Sequence, residues 1–251
     1  MNVADRQKPR PGELFVDHVS HFVADLDAAA RELEGHGMKV TPTSVQTTAA
    51  GPVGASNRCV MLAEGYIELL SPTHDTPSAR RMRKLMARYS GVHLVCFGTP
   101  DAAGEQRRLQ AHGFDAELVE FERAVKGGTA RFKAVRVPEE TMPEGRIQYV
   151  QQMTPEHVWL PGFVNDSRLE EVYVVAADPV EAAARWARFA ALIPYPEKDT
   201  VRLRTARGSI VIGSRATIAS ILGDAPPAPA IAGYSLRRGD AVNYVPGTTR
   251  A

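Results

Sequence analysis

Glu68 lies inside the apolar run Tyr66-Ile67-Glu68-Leu69-Leu70. A carboxylate in such a run either meets a buried partner or does chemistry, because glutamate is seldom fully buried alone. A titratable group placed this way marks a candidate site. The run has an internal counterpart: GYIELL from Gly65 aligns with GRIQYV from Gly145, which puts Gln148 in the place of Glu68. Two further apolar segments carry histidines, His18 in DHVSHFV and His93 in VHLVCF. Period-two alternation gives His18, Ser20 and Phe22 one face of a strand and Val19, His21 and Val23 the other. A lone strand histidine is more often a hydrogen-bonded core residue than a ligand, so Glu68 carries the stronger signal.

The elements that would position these residues come in copies. DHVSHFVADLDAAARELEGHGMKV, VHLVCFGTPDAAGEQRRLQAHGFDA and EVYVVAADPVEAAARWARFAAL each read as a strand followed by an amphipathic helix. Asp25, Asp101 and Asp178 close the strands and stand at the helix N-cap, while Gly37 and Gly113 suit left-handed helix ends. Shorter period-two segments follow in the first two copies, giving a βαβββ unit over residues 14–75 and another over 91–160. Between them, residues 76–90 read as a linker helix. Its Arg80, Arg81, Arg83, Lys84 and Arg88 form a solvated face or, more sharply, a clamp for an anionic substrate. A third, partial unit spans 165–240, with two strands expected after its helix, one near Ile231, and a polar tail expected to be disordered.

Composition narrows the function. The 251 residues carry a net charge of +1 and are 44% hydrophobic, which argues against a nucleic-acid partner. No segment approaches the ~20 apolar residues of a membrane helix. Cys59 and Cys96 are isolated and form no CxxC, as expected of buried reduced thiols in a soluble cytoplasmic protein. No GxSxG, HExxH or Walker pattern occurs, and Gly127-Gly128 suits a hairpin turn.

Paired βαβββ units, with DHVxHxVxDLxAA at the start and GYIELLSP at the end, resemble the vicinal oxygen chelate superfamily and its glyoxalase-like domain proteins. The order of IELLSP, a short helix and a His-bearing strand is also similar to methylmalonyl-CoA epimerase. The resemblance implies an α+β fold in which tandem units form a cupped mixed sheet with helices outside. It also implies a site drawn from the first and last strand of each unit: His18, Glu68 and Gln148, with either His93 or Leu94 as the fourth member. Leu94 stands seven residues before Asp101, as His18 stands before Asp25, whereas an extra residue near Pro100 would turn His93 inward.

With His93 inside, the set His18, Glu68, His93 and Gln148 suits a divalent ion such as Zn, Ni, Mn or Fe. The implied activity is then a metal-dependent lyase or isomerase acting on a small carbonyl or thioester substrate through an enediolate, with Glu68 catalytic. With Leu94 inside, a metal-free small-molecule-binding protein is the alternative; an extradiol-type dioxygenase ranks below both. Phe22, Asn57, Leu94, Tyr149 and Trp159 are the expected substrate-binding residues. The third unit places Glu171 and Val211 where His18 and Glu68 stand, so no second site is expected there, and pairing of two third units predicts a homodimer.

Overall fold

The structure, a computed structural model, describes residues 3–160 and 162–247. One helical turn, α1 (Val3–Arg6), precedes the first unit: β1 (Phe15–Phe22), α2 (Leu26–Gly35), β2 (Ser44–Thr48), β3 (Gly51–Glu64) and β4 (Tyr66–Pro72). The linker helix α3 (Pro77–Met86) leads to the second: β5 (Gly91–Gly98), α4 (Ala102–Ala111), β6 (Glu117–Val125), β7 (Gly128–Arg136) and β8 (Arg146–Gln152). The third follows as β9 (Val164–Val175), α5 (Pro179–Ala190), β10 (Pro194–Glu197), β11 (Thr200–Arg204) and β12 (Ser209–Gly213). The chain then runs through α6 (Arg215–Leu222), β13 (Ala230–Arg238) and β14 (Ala241–Pro246).

The helix starts follow from their caps. Asp25 accepts from Ala28 N at 2.8 Å, Asp101 from Gly104 N at 2.9 Å and Asp178 from Glu181 N at 3.0 Å, each pairing an otherwise orphaned first-turn donor. Gly37 and Gly113 end the first two unit helices at φ +80°, the left-handed conformation glycine adopts without a Cβ penalty.

In every unit the first and last strands pair in parallel, β1 with β4, β5 with β8 and β9 with β12. β1 also pairs antiparallel with β5, β2 with β6, and β3 with β4. Eight strands therefore close on themselves in the order β3-β2-β6-β7-β8-β5-β1-β4. This is the expected α+β cupped sheet, drawn into a ring. β9 joins it alongside β3, and β10, β11 and β12 extend outward from β9.

Two differences from the sequence expectation stand out. The third unit has a short additional strand, β10, that two prolines in four residues concealed. β13 contains the strand expected near Ile231, but the polar segment after it folds back as β14 rather than forming a disordered tail; residues 248–251 lie outside the described residues. β13 lies antiparallel beside β9 as β5 lies beside β1, so the third unit is half of a second cup.

The ring sorts the core into two faces. Val95, Phe97, Ile147 and Tyr149 pack outward under the helices with Trp186 and Phe189. Leu70, Leu94, Cys96, Phe132 and Val150 pack inside. Strand alternation produces this division, and polar residues in the inner phase become the site.

Candidate active site inside the ring

Gly65, at φ +76°, makes the tight turn from β3 to β4 and brings Glu68 opposite Cys59 across the strand pair. There Glu68 is 5% exposed, and both of its oxygens are occupied. Asn57 Nδ2 donates to Oε1 at 2.6 Å and Gln46 Nε2 at 3.3 Å, while Ser20 donates to Oε2 at 2.7 Å. His18, from β1, stacks on the Tyr66 ring with centroids 4.2 Å apart and holds Nε2 at 4.0 Å from Glu68 Oε2. Its Nδ1 bonds Asp17 Oδ1 at 2.6 Å, and Asp17 also accepts from Gln152 at 2.9 Å. Burial opposes the imidazolium, but Cys96 beside the ring and Asp17 on Nδ1 outweigh it and hold the His18 pKa well above its ordinary value. Burial pushes the Cys96 thiol up.

These groups line a cavity of about 30 Å³, close to the share of one water in the liquid. Its wall consists of His18, Gln46, Tyr66, Glu68, Leu94 and Gln148, together with Arg123, Arg136 and Arg146 and apolar neighbours from β6, β7 and β8. Gln148 donates to Cys96 Sγ at 3.7 Å, and its Oε1 is buried with no hydrogen-bond partner.

The fourth position is Leu94. Between Ser20↔Leu94 and His21↔Val92 the β1–β5 pairing shifts register by one residue, and His93 is the extra residue on β5. An irregularity of the kind invoked near Pro100 therefore exists, but at His93 itself, where it turns the side chain away from the cavity. His93 Nε2 bonds the Tyr89 carbonyl at 2.8 Å, and the ring stacks on Phe22 and Tyr89. Burial lowers its pKa to about 4.

Of the expected substrate-contacting residues, Leu94 lines the cavity and Asn57 holds Glu68 from behind. Phe22 lies between His93 and the Arg146 guanidinium, off the wall. Tyr149 is corrected outright: it follows Gln148 by one residue, so alternation turns it to the helix side. There its hydroxyl donates to the Phe189 carbonyl at 2.9 Å and accepts from Arg108. Trp159 closes one end of the ring, edge-on to Tyr66 and donating to the Leu62 carbonyl at 3.3 Å.

None of the three arginines is among the residues that the sequence singles out for the site. Their signal was phase. Arg123 alternates with Val119, Phe121 and Val125, Arg136 with Ala130, Phe132 and Ala134, and Arg146 with Gln148 and Val150, so each shares the inward face.

The wall does not fit a divalent metal. Among the described residues no group of three or more His, Cys, Asp or Glu side chains is placed to hold one. Leu94 fills the fourth position, the Glu68 lone pairs face three donors, and three guanidiniums repel a cation.

Residues 16–190 match the family model described as a glyoxalase-like domain. A hypothetical protein from Staphylococcus aureus superposes with a TM-score of 0.67 at 17% identity, over 80% of this chain and 86% of that one. A mutant of 4-hydroxymandelate synthase from Streptomyces coelicolor gives 0.58 at 15% identity, over 89% and 71%. Methylmalonyl-CoA epimerase from Mycobacterium tuberculosis gives 0.42 at 21% identity, over 54% and 86%. A search of curated proteins finds no match.

Proposed function

This chain belongs to the glyoxalase-like domain family, and we propose that its ring interior is the site of a lyase or isomerase reaction on a small carbonyl compound. The observation that supports this reading is the Glu68–His18 pair, a buried carboxylate and an imidazole 4.0 Å apart on one cavity wall. A carbonyl oxygen facing His18 Nε2 would receive its hydrogen bond, and charge developing on that oxygen is stabilised by a donor already oriented by Asp17. The proton on the neighbouring carbon passes to Glu68 Oε2 and is returned from there, which leaves a rearranged or epimerised product. Ser20, Gln46 and Asn57 fix the carboxylate so that little reorganisation is needed.

One observation favours a second reading, a binding protein without turnover: both oxygens of Glu68 are already engaged by the donors of Ser20, Gln46 and Asn57. Incubation with pyruvate, oxaloacetate and glyceraldehyde in D2O, followed by proton NMR, separates the two. Exchange of the proton beside the carbonyl, lost in Glu68→Gln, is expected for the enzyme. Its absence for every carbonyl tested, with folded protein, would leave the binding protein.

A further inference from the structure

Arg123, Arg136 and Arg146 share one small cavity, and among the described residues none of them makes an ion pair within 4.0 Å. Arg123, only 5% exposed, has one side-chain hydrogen bond, to Cys59 Sγ at 3.5 Å, and its Nε has none; the Nε of Arg136 is likewise buried and unpartnered. A guanidinium offers five N–H donors and stays charged, so leaving three of them inside a sheet with no carboxylate paired to any of them is costly.

Each is instead backed by an aromatic ring. Arg123 lies 5.4 Å from the Phe132 centroid, Arg136 5.7 Å from Phe121 and Arg146 5.3 Å from Phe22. Rings against the faces hold the guanidiniums while their N–H edges stay available, which is how arginine recognises carboxylate or phosphate in a fork.

The charge balance points the same way. On the cavity wall three guanidiniums face one carboxylate, Glu68, whose two oxygens are already hydrogen-bonded. Outside the ring the charges are mixed: Arg136 and Arg146 form part of a second cavity of about 40 Å³ with Ser78, Arg81 and Glu139, and Arg81, Lys84 and Arg136 line an open hollow of about 640 Å³ with Asp115, Glu117, Glu139 and Glu140. The linker helix, read from sequence as a solvated face or an anion clamp, thus contributes two cations to a mixed approach, and the excess of positive charge is confined to the ring.

We propose that the molecule held in the ring is an organic anion whose carboxylate or phosphate group is gripped by Arg123, Arg136 and Arg146, the wall side chains moving apart to widen a cavity that in the ligand-free chain has room for one water. On this proposal the guanidiniums supply the positive charge that a metal ion would otherwise bring to the site. The proposal rests on the ring interior being the working site, and it does not depend on proton transfer there.

Calorimetric titration of the full chain at low salt with malonate, inorganic phosphate and neutral malonamide is the test. Malonate or phosphate is expected to bind and malonamide not. Arg136→Gln and Arg146→Gln are each expected to weaken the anion about tenfold or more, and Arg146→Lys to recover only part of the loss. Binding by malonate rather than phosphate would identify a carboxylate ligand, and the reverse a phosphate. Equal binding of malonate and malonamide, no binding of either anion, or unchanged affinity in both glutamine variants would each overturn the proposal. The wild-type comparison of malonate with malonamide stands even if a variant does not fold. Anion binding without exchange of the proton beside a carbonyl would retire the proposed reaction alone. Exchange on a neutral carbonyl without anion binding would retire the arginine proposal alone.

Discussion

Glu171 stands seven residues before the helix cap Asp178, as His18 stands seven before Asp25, and the two positions handle charge in opposite ways. In the third unit the Glu171 carboxylate is met by Arg202 from the neighbouring strands and by the Tyr173 hydroxyl, and Arg202 also reaches Glu197 at 2.7 Å. Val211, in the place of Glu68, is simply buried. In the ring the cationic groups outnumber the carboxylates, and three of them lack an ionic partner. The same βαβββ framework therefore carries a self-neutralised set of charges in one region and an excess of one sign in the other. Self-neutralised charges hold strands together; an excess is retained at the expense of stability where a ligand completes it.

The largest test falls on the seam between these regions. His21 reaches the Tyr234 hydroxyl of β13 at 3.3 Å, and His93 lies beneath the same strand's approach to β5. Burial lowers the pKa of each to about 4, in His21 with the help of His93. Because the unfolded histidines protonate near ~6.5, their contribution is fully present above that pH and is lost as pH falls toward about 4. The loss is roughly 3 kcal/mol for buried His93 and less for half-buried His21. His18, whose pKa is raised, has the opposite sign: its contribution is present below ~6.5 and fades as pH rises through its folded pKa. Denaturant melts across this range should show stability peaking near pH ~6.5 and falling on the acid side, a fall that His93→Gln reduces. A flat acid limb would refute the assignment.

Arginine removal sharpens the contrast further. Arg202→Met leaves partly buried Glu171 without its cation and is expected to cost about 2 kcal/mol, allowing for the solvent that reaches the pair. Arg146→Met removes a charge that has no ionic partner and is expected to stabilise the ligand-free chain by about 1 kcal/mol. Thermal melts of the two variants should therefore move in opposite directions. A loss of stability in both would mean that the ring arginines are structural after all. The smallest effect is expected from added Zn²⁺ or Mn²⁺. With no fitting donor set the melting temperature should not move, whereas a shift that grows with metal concentration would show a site the side chains rearrange to form.

Much of the framework was legible because it depends on local chemistry. The three aspartate caps, the helix-ending glycines and the equivalence of Glu68 with Gln148 are all readable from neighbours along the chain. The choice between His93 and Leu94 was not, because the register shift that settles it belongs to the pairing of β1 with β5, and one strand's sequence does not contain it. Counting back from Asp101 did point to Leu94. The misplacement of Tyr149 has a simpler cause, since a residue adjacent to Gln148 cannot share its face. The arginines were readable in principle from their phase, but charged strand residues invite the assumption that they face water.

Because the eight strands close into a ring, none of its walls has a free edge that can peel away to admit a molecule. Arg136 and Arg146 line both the inner cavity and the neighbouring one, so a molecule entering by this mouth passes between them as side chains move. Passage through the mouth would then set the rates of entry and departure, so a bound anion should stay far longer than its modest contact area alone would allow.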